Sequence, residues 1–135
     1  MAYAGYLIKV GDYTIPTDKF IRAESYKATL NVQDLDPYRD ANGVLHRGAL
    51  AHRVPKVEFE TPAMLTNVEM AEFMGKIQEN YTVSAERKVS ATVYVPELDD
   101  YVKQDMYMTD PEFNIYGNYG GVLRYSPVRI AFIGY

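Results

Sequence analysis

The chain is 135 residues long, 47% apolar and 24% charged, which suits one globular domain with a single core. Its formal charge of −4, with 14 Lys and Arg residues dispersed along the chain, argues against a basic face that grips nucleic acid. The absence of cysteine excludes disulfides, thiolate metal sites and cysteine nucleophiles. No run approaches the ~20 apolar residues of a membrane span, and residues 1–6 (MAYAGY) lack the basic and apolar regions of a signal peptide, so none is expected.

Residues 5–10 (GYLIKV) predict a first strand, Gly11 and Asp12 a turn, and Tyr13, Thr14 and Ile15 a short return strand closed by Pro16. Residues 19–22 read as extended or as a single turn. Over residues 24–33 the alternation predicts a half-buried strand, with Tyr26, Ala28, Leu30 and Val32 on one face and Lys27, Thr29, Asn31 and Gln33 on the other. Residues 34–52 (DLDPYRDANGVLHRGALAH) are the least sheet-like segment, because Pro37 and Asn42-Gly43 are breakers and the charges are mixed. A long loop is expected there, and a loop of that length in a compact domain is usually functional or disordered. Residues 53–60 return to strand character, with Val57 and Phe59 inward and Lys56, Glu58 and Glu60 outward.

One helix is well marked, over about residues 67–80. Thr66 and Glu69 have the spacing of a capping box. Met70, Phe73, Met74, Ile77 and Tyr81 then fall on one face, while Glu69, Glu72, Lys76 and Glu79 occupy the other. Residues 82–85 and 89–95 read as two strands, or as one long strand interrupted by charge. Residues 96–100 (PELDD) are a hairpin loop and residues 101–108 its return strand. Residues 111–121 are expected to be irregular, and residues 122–135 to form one last strand, bent at Pro127, that ties the C-terminus into the sheet. The fold class is α+β: a mostly antiparallel, sandwich-like or barrel-like sheet with the capped helix packed on it. Residues 1–135 form one domain with a long loop at 34–52.

No catalytic constellation is visible. The two histidines, His46 and His52, both fall in the long loop and are read as exposed, so no metal site is expected. Residues 34–43 fail the spacing of a calcium loop, since neither register puts Gly at the sixth position. Gly117, Gly120 and Gly121 lead into a strand and lack the Lys-Ser/Thr of a phosphate loop. Asp99 and Asp100 are adjacent, a poor geometry for paired carboxylates. No enzyme and no cofactor are expected. The compositional outlier is 13 tyrosines with no tryptophan. Tyr joins a large apolar body to a polar tip and suits half-buried sheet positions and protein interfaces. Tyr116, Tyr119, Tyr125 and Tyr135 are the interface candidates.

Four pieces in order, residues 7–16 (LIKVGDYTIP), 38–47 (YRDANGVLHR), 56–77 and 89–135 with its RIAFI ending, resemble the tail-tube and distal-tail hub subunits of tailed bacteriophages. The resemblance implies a structural virion protein. Such subunits form rings, usually hexameric, around a channel for DNA and the tape-measure protein, with strands of neighbouring copies joined into an inner barrel. It implies self-association, contacts with neighbouring tail proteins and the tape-measure protein, transient passage of DNA, no membrane, and a place in the virion after assembly in the host cytoplasm. Residues 34–52 become the contact between subunits, through Asp36, Tyr38, Arg39, Asp40, Arg47 and Arg53. Acidic faces such as Glu58 and Glu60, or Glu97, Asp99 and Asp100, would approach the channel and repel DNA. The alternative is a small monomeric β-domain that binds a ligand or peptide through its Tyr-rich surface.

Overall fold

The computed structural model describes residues 3–30, 34–49 and 54–135, with backbone alone at 34–37 and 47–49. Strands β1 (Ile8–Val10) and β2 (Tyr13–Thr14) form the first hairpin. Its turn needs glycine at position 11, where φ is +58° and a Cβ would lie 2.4 Å from Asn80 Oδ1. Asn80 fills that space, accepting from the Asp12 N–H at 3.1 Å and donating to the Lys76 carbonyl at 2.9 Å. A one-turn helix α1 (Thr17–Phe20) then drops Phe20 into the core, and a 3-10 turn (Ala23–Ser25) leads into β3 (Lys27–Thr29). Tyr26, Ala28 and Leu30 pack against the core as the alternation predicts, though the strand is shorter than expected. Asn31, Val32 and Gln33 lie outside the described residues.

The segment expected to be a long loop is instead a two-stranded ribbon, β4 (Asp34–Arg39) against β5 (Leu45–Ala49). Pro37 does not stop it, because the register slips between Leu35 and Tyr38, and an irregular step tolerates a residue without an N–H. Asn42-Gly43 marks the turn between the two strands, with Gly43 at φ +81°.

Strands β6 (Lys56–Glu60) and β7 (Leu65–Thr66) precede helix α2 (Asn67–Glu79). A second 3-10 turn (Ser84–Glu86) occupies the place where a strand at 82–85 is expected. The hairpin of β8 (Lys88–Val95) and β9 (Asp100–Met108) follows with an unbroken register. Residues 111–121, expected to be irregular, contain β10 (Ile115–Tyr119). The expected single last strand is two, β11 (Val122–Tyr125) and β12 (Arg129–Gly134), which belong to different sheets. Pro127 separates them, and the buried Thr61 secures the crossing by accepting from the Val128 N–H at 3.0 Å and donating its own N–H to the Val128 carbonyl at 2.9 Å.

Among the described residues, all strand pairings are antiparallel. The main sheet has seven strands in the order β2-β1-β8-β9-β12-β6-β3, and a three-stranded sheet has the order β10-β11-β7. The main sheet curls: Tyr26, beside edge strand β3, donates its hydroxyl to the Tyr94 carbonyl on β8 at 2.5 Å. Burial pushes that phenol well above its usual range. Ile8, Val10, Phe59, Val89, Val93, Met106, Ile130 and Phe132 fill the inner face. Helix α2 lays Met70, Phe73 and Ile77 into the same core, and Phe73 stacks on Phe20 with ring centroids 4.6 Å apart. The capping box forms as its spacing predicts. Thr66 Oγ1 accepts from the Glu69 N–H at 3.2 Å, and the Glu69 carboxylate accepts from the Thr66 N–H at 3.2 Å.

Thr66→Ala removes the hydroxyl half of the cap, leaving the residue 66 N–H to donate to Glu69, and is expected to lower stability by about 1 kcal/mol, read as a reduced denaturation midpoint with unchanged slope in urea. An unchanged midpoint would show that burial of the helix face alone sets its start.

Candidate assembly surfaces

Among the described residues, the β4–β5 ribbon pairs with no strand of the other two sheets. Its tip orders itself through Asp40. One carboxylate oxygen accepts from the Asn42 and Val44 N–H groups at 2.9 and 3.1 Å, and the other lies 2.9 Å from His46 Nε2. A carboxylate only accepts, so Nε2 carries its proton toward Asp40. Arg39 closes the turn by donating to the Gly43 carbonyl at 2.9 Å. The Tyr38 and His46 rings stack 4.8 Å apart, 10° from parallel. The tip nonetheless leaves Tyr38, Val44 and Leu45 60, 55 and 44% exposed. A two-stranded ribbon is marginally stable in water, so an ordered tip with bare apolar side chains is suited to contact a partner.

Tyr38, Arg39 and Asp40 are thus brought together. The Arg39 and Asp40 groups act within the tip, as does His46, which the sequence reading left as an idle loop residue. The side chains of Asp36 and Arg47 and the whole of Arg53 and His52 lie outside the described residues.

A second apolar surface lies on the three-stranded sheet. Gly120 and Gly121, at φ +59° and +83°, make the two-residue turn between β10 and β11. Tyr119 and Val122 pair across it, and Tyr119 folds its ring over Gly117, where a Cβ would lie 3.0 Å from that ring. Ile115, Tyr116, Tyr119 and Val122 are all exposed, and Tyr116 falls where the register shifts. β10 is an edge strand. Ile115 and Val122 went unnoticed in the sequence, although Gly-Gly between two short apolar runs is a hairpin signal.

The other two tyrosines have partners within the chain, although Tyr135 stays 42% exposed. Tyr125 packs against the core with Phe113 5.8 Å away. Tyr135 sets its ring edge-on to Tyr107 at 5.6 Å, lies under the Lys88 ammonium at 4.9 Å and donates to Glu86 at 2.8 Å. A further cluster escaped the sequence reading. Tyr6 stacks on Tyr101 at 4.8 Å, and Tyr94 meets Tyr3 and Tyr101 edge-on at 5.4 and 5.5 Å, which fastens residues 3–6 onto the β8–β9 hairpin. Only the spatial pairing of Tyr94 with Tyr101 reveals it.

A concavity of about 350 Å³ is lined by Arg22, Lys27, Glu58, Glu60 and Arg129 among others. Its charges pair with one another: Arg22 with Glu60 at 3.3 Å, and Arg129 with Glu58, whose carboxyl it holds below the usual range. Such a lining has little of the apolar wall typical of a small-molecule site. Among the described residues, no group of three or more His, Asp or Glu side chains is placed to hold a metal.

The model of a family of unknown function, DUF6711, matches residues 1–135. The chain belongs to that family. No curated protein matches it. Two solved chains are similar in structure. One is from the virion of a native gene transfer agent particle, with a TM-score of 0.56 and 14% identity. The other is from the tail of an empty gene transfer agent particle with C6 symmetry, refined as a helix, with a TM-score of 0.53 and 15% identity. Each alignment covers 100% of this chain and 94% of the other. At that identity the likeness establishes a shared fold over the whole chain.

The His46 contact first, and then the backbone N–H groups, hold the Asp40 carboxyl below its ordinary value. A depressed carboxylate contributes order above its unfolded pKa and loses it as pH falls through the folded one. The Asn42 and Val44 amide resonances are therefore expected to hold steady from neutral pH down through the ordinary carboxylate range and to shift together below it. Asp40→Ala should place them at their disordered positions at every pH. Identical amide shifts in the variant would refute the role of Asp40.

Proposed function

We propose that this chain is a structural, non-enzymatic subunit of a phage-like tail, which assembles with copies of itself into rings around a channel. The observation that carries this reading is a fold shared over the full chain with a component of a six-fold symmetric tail. The two bare apolar surfaces agree with it: the ribbon tip and the edge strand β10 both expose side chains that a neighbouring copy would bury. A helically refined tail repeats its subunit along an axis, which favours a place in the tube over a single distal hub ring.

On this reading the virion is the protein's location, reached after assembly in the host cytoplasm. The tape-measure protein and neighbouring tail proteins are its partners, and DNA passes without specific contacts. Of the two acidic groups expected to approach the channel, Glu58 faces Arg129 and Glu60 faces Arg22, so they present little net charge. Among the described residues the β8–β9 turn makes no such ion pair: Glu97 and Asp99 are exposed there, and Asp99 accepts the Tyr94 hydroxyl at 2.6 Å. That turn is the better channel-lining element.

Native mass spectrometry over a concentration series tests the reading. Species at multiples of six subunits are expected, and Tyr116→Ser with Tyr119→Ser should raise the assembly midpoint by about tenfold or more. A strictly monomeric chain, both alone and mixed with the tape-measure protein, would overturn it.

A further inference from the structure

The outer face of the seven-stranded sheet carries a row of side chains that crosses four strands. The register sets Thr14 beside Lys9, Lys9 beside Thr92 and Thr92 beside Lys103. Ile8, Val10, Ala91 and Val93 on either side of these positions are buried in the core, so the row points outward. On this face Asp105 sits 3.9 Å from Lys88, and Asp99 accepts the Tyr94 hydroxyl at 2.6 Å. Lys9 and Lys103 have no ion pair among the described residues. A chain of net charge −4 thus holds two unopposed lysines on its outer sheet face, with a threonine between them.

The opposite charge lies on the outer side of α2. Glu72 and Glu79 are seven residues apart and exposed on the same side of the helix, with Lys76 between them, 4.0 Å from Glu79. Asp12 adds a further acid where the first hairpin meets the helix end. With Tyr13, Lys76, Glu79 and Asn80 it lines a shallow groove of about 340 Å³, room for a lysine stem.

The two arrays match in spacing as well as sign. Two strand-to-strand steps separate Lys9 from Lys103 by ~10 Å. Seven helical residues separate Glu72 from Glu79 by ~10.5 Å. Laid together, Lys-Thr-Lys meets Glu-Lys-Glu: each lysine of the sheet finds a glutamate, and Lys76 finds the Thr92 hydroxyl, which accepts from it. The arrays lie on different faces of one molecule, so neither reaches the other within the chain.

We infer that the outer sheet face of one copy docks on the α2 face of the next, with Lys9 and Lys103 meeting Glu72 and Glu79. The occupant is a second copy of this chain. Each subunit then uses one face as donor and the other as acceptor, the head-to-tail contact that closes a ring. This inference rests on the self-assembly reading above and adds which faces meet. The contact is charge-steered, so it sets partner orientation and weakens with salt.

Two charge-reversed variants test it: Lys9→Glu with Lys103→Glu, and Glu72→Lys with Glu79→Lys. All four side chains are on the surface, and circular dichroism should show both variants folded. Each alone is expected to raise the assembly midpoint by about tenfold or more in low salt, because like charges then face each other. Mixed one to one, the variants restore opposite charges at every contact, and an even-numbered ring of alternating subunits should form near the original midpoint. If either variant alone assembles as the parent chain does, with the same salt response, the faces do not meet and only this inference fails. Folded variants whose mixture also stays unassembled would overturn the pairing in the same way. A parent chain that never assembles would remove the self-assembly reading and this inference together.

Discussion

Burial of the apolar stripe of α2 inside the curled seven-stranded sheet is the constraint on which the rest depends. Phe73 stacks on Phe20, Met70 and Ile77 fill the space to either side, and the inner faces of β1, β8, β9, β12 and β6 close around them. Once that core is full, every other strand position must face water or a partner. Lys9, Thr92 and Lys103 are outward because Ile8, Val93 and Val10 are inward, and a period of two leaves no other choice. The same burial fixes where α2 shows Glu72 and Glu79. The charged arrays are thus by-products of the core, and their signs and spacing are what remains for evolution to use.

The two elements outside this core behave differently from it. The ribbon of β4 and β5 holds its own tip through Asp40, Arg39 and His46 yet leaves Tyr38 and Val44 bare. The β10–β11 hairpin is anchored by β7 and by Tyr125, and shows Ile115 and Tyr116 to solvent. A small chain cannot bury everything. Several of the unburied apolar groups gather on these two strand pairs, while others such as Val68 and Leu98 stand singly. On the proposed reading as an assembly subunit, exposed strand pairs and open strand edges serve better than a cleft. The concavity lined by Arg22 and Arg129 is occupied by their pairing with Glu60 and Glu58.

Legibility in the sequence followed the range of the interaction involved. The capped helix, the first hairpin, and the strands around Val57 and Phe59 and around Val89 to Val95 depend on neighbours one to four residues away, and each was readable. The ribbon at 34–49 was not, because Pro37 and Asn42-Gly43 look like breakers, whereas one is absorbed by a register slip and the other turns the hairpin. The break between β11 and β12 was half legible: Pro127 announced a bend, but its consequence, a strand on each of two sheets, depends on Thr61 bridging to Val128. Tyrosine presented the same difficulty. Tyr116 and Tyr119 are exposed with no ring partner among the described residues, while Tyr125 and Tyr135 look alike in sequence but meet Phe113, Tyr107 and Glu86, and Tyr135 stays exposed all the same.

By itself the sequence determined an α+β antiparallel fold class, the position and start of helix α2 and the faces of its regular strands. All of these rest on periodicity, capping and composition, which are local. Only the tertiary structure decided which strands share a sheet, that residues 34–49 project as a ribbon, and that Lys9 stands in line with Lys103 across residues 94 positions apart. Register between distant strands is set by the packing of a common core, and no window of sequence contains it.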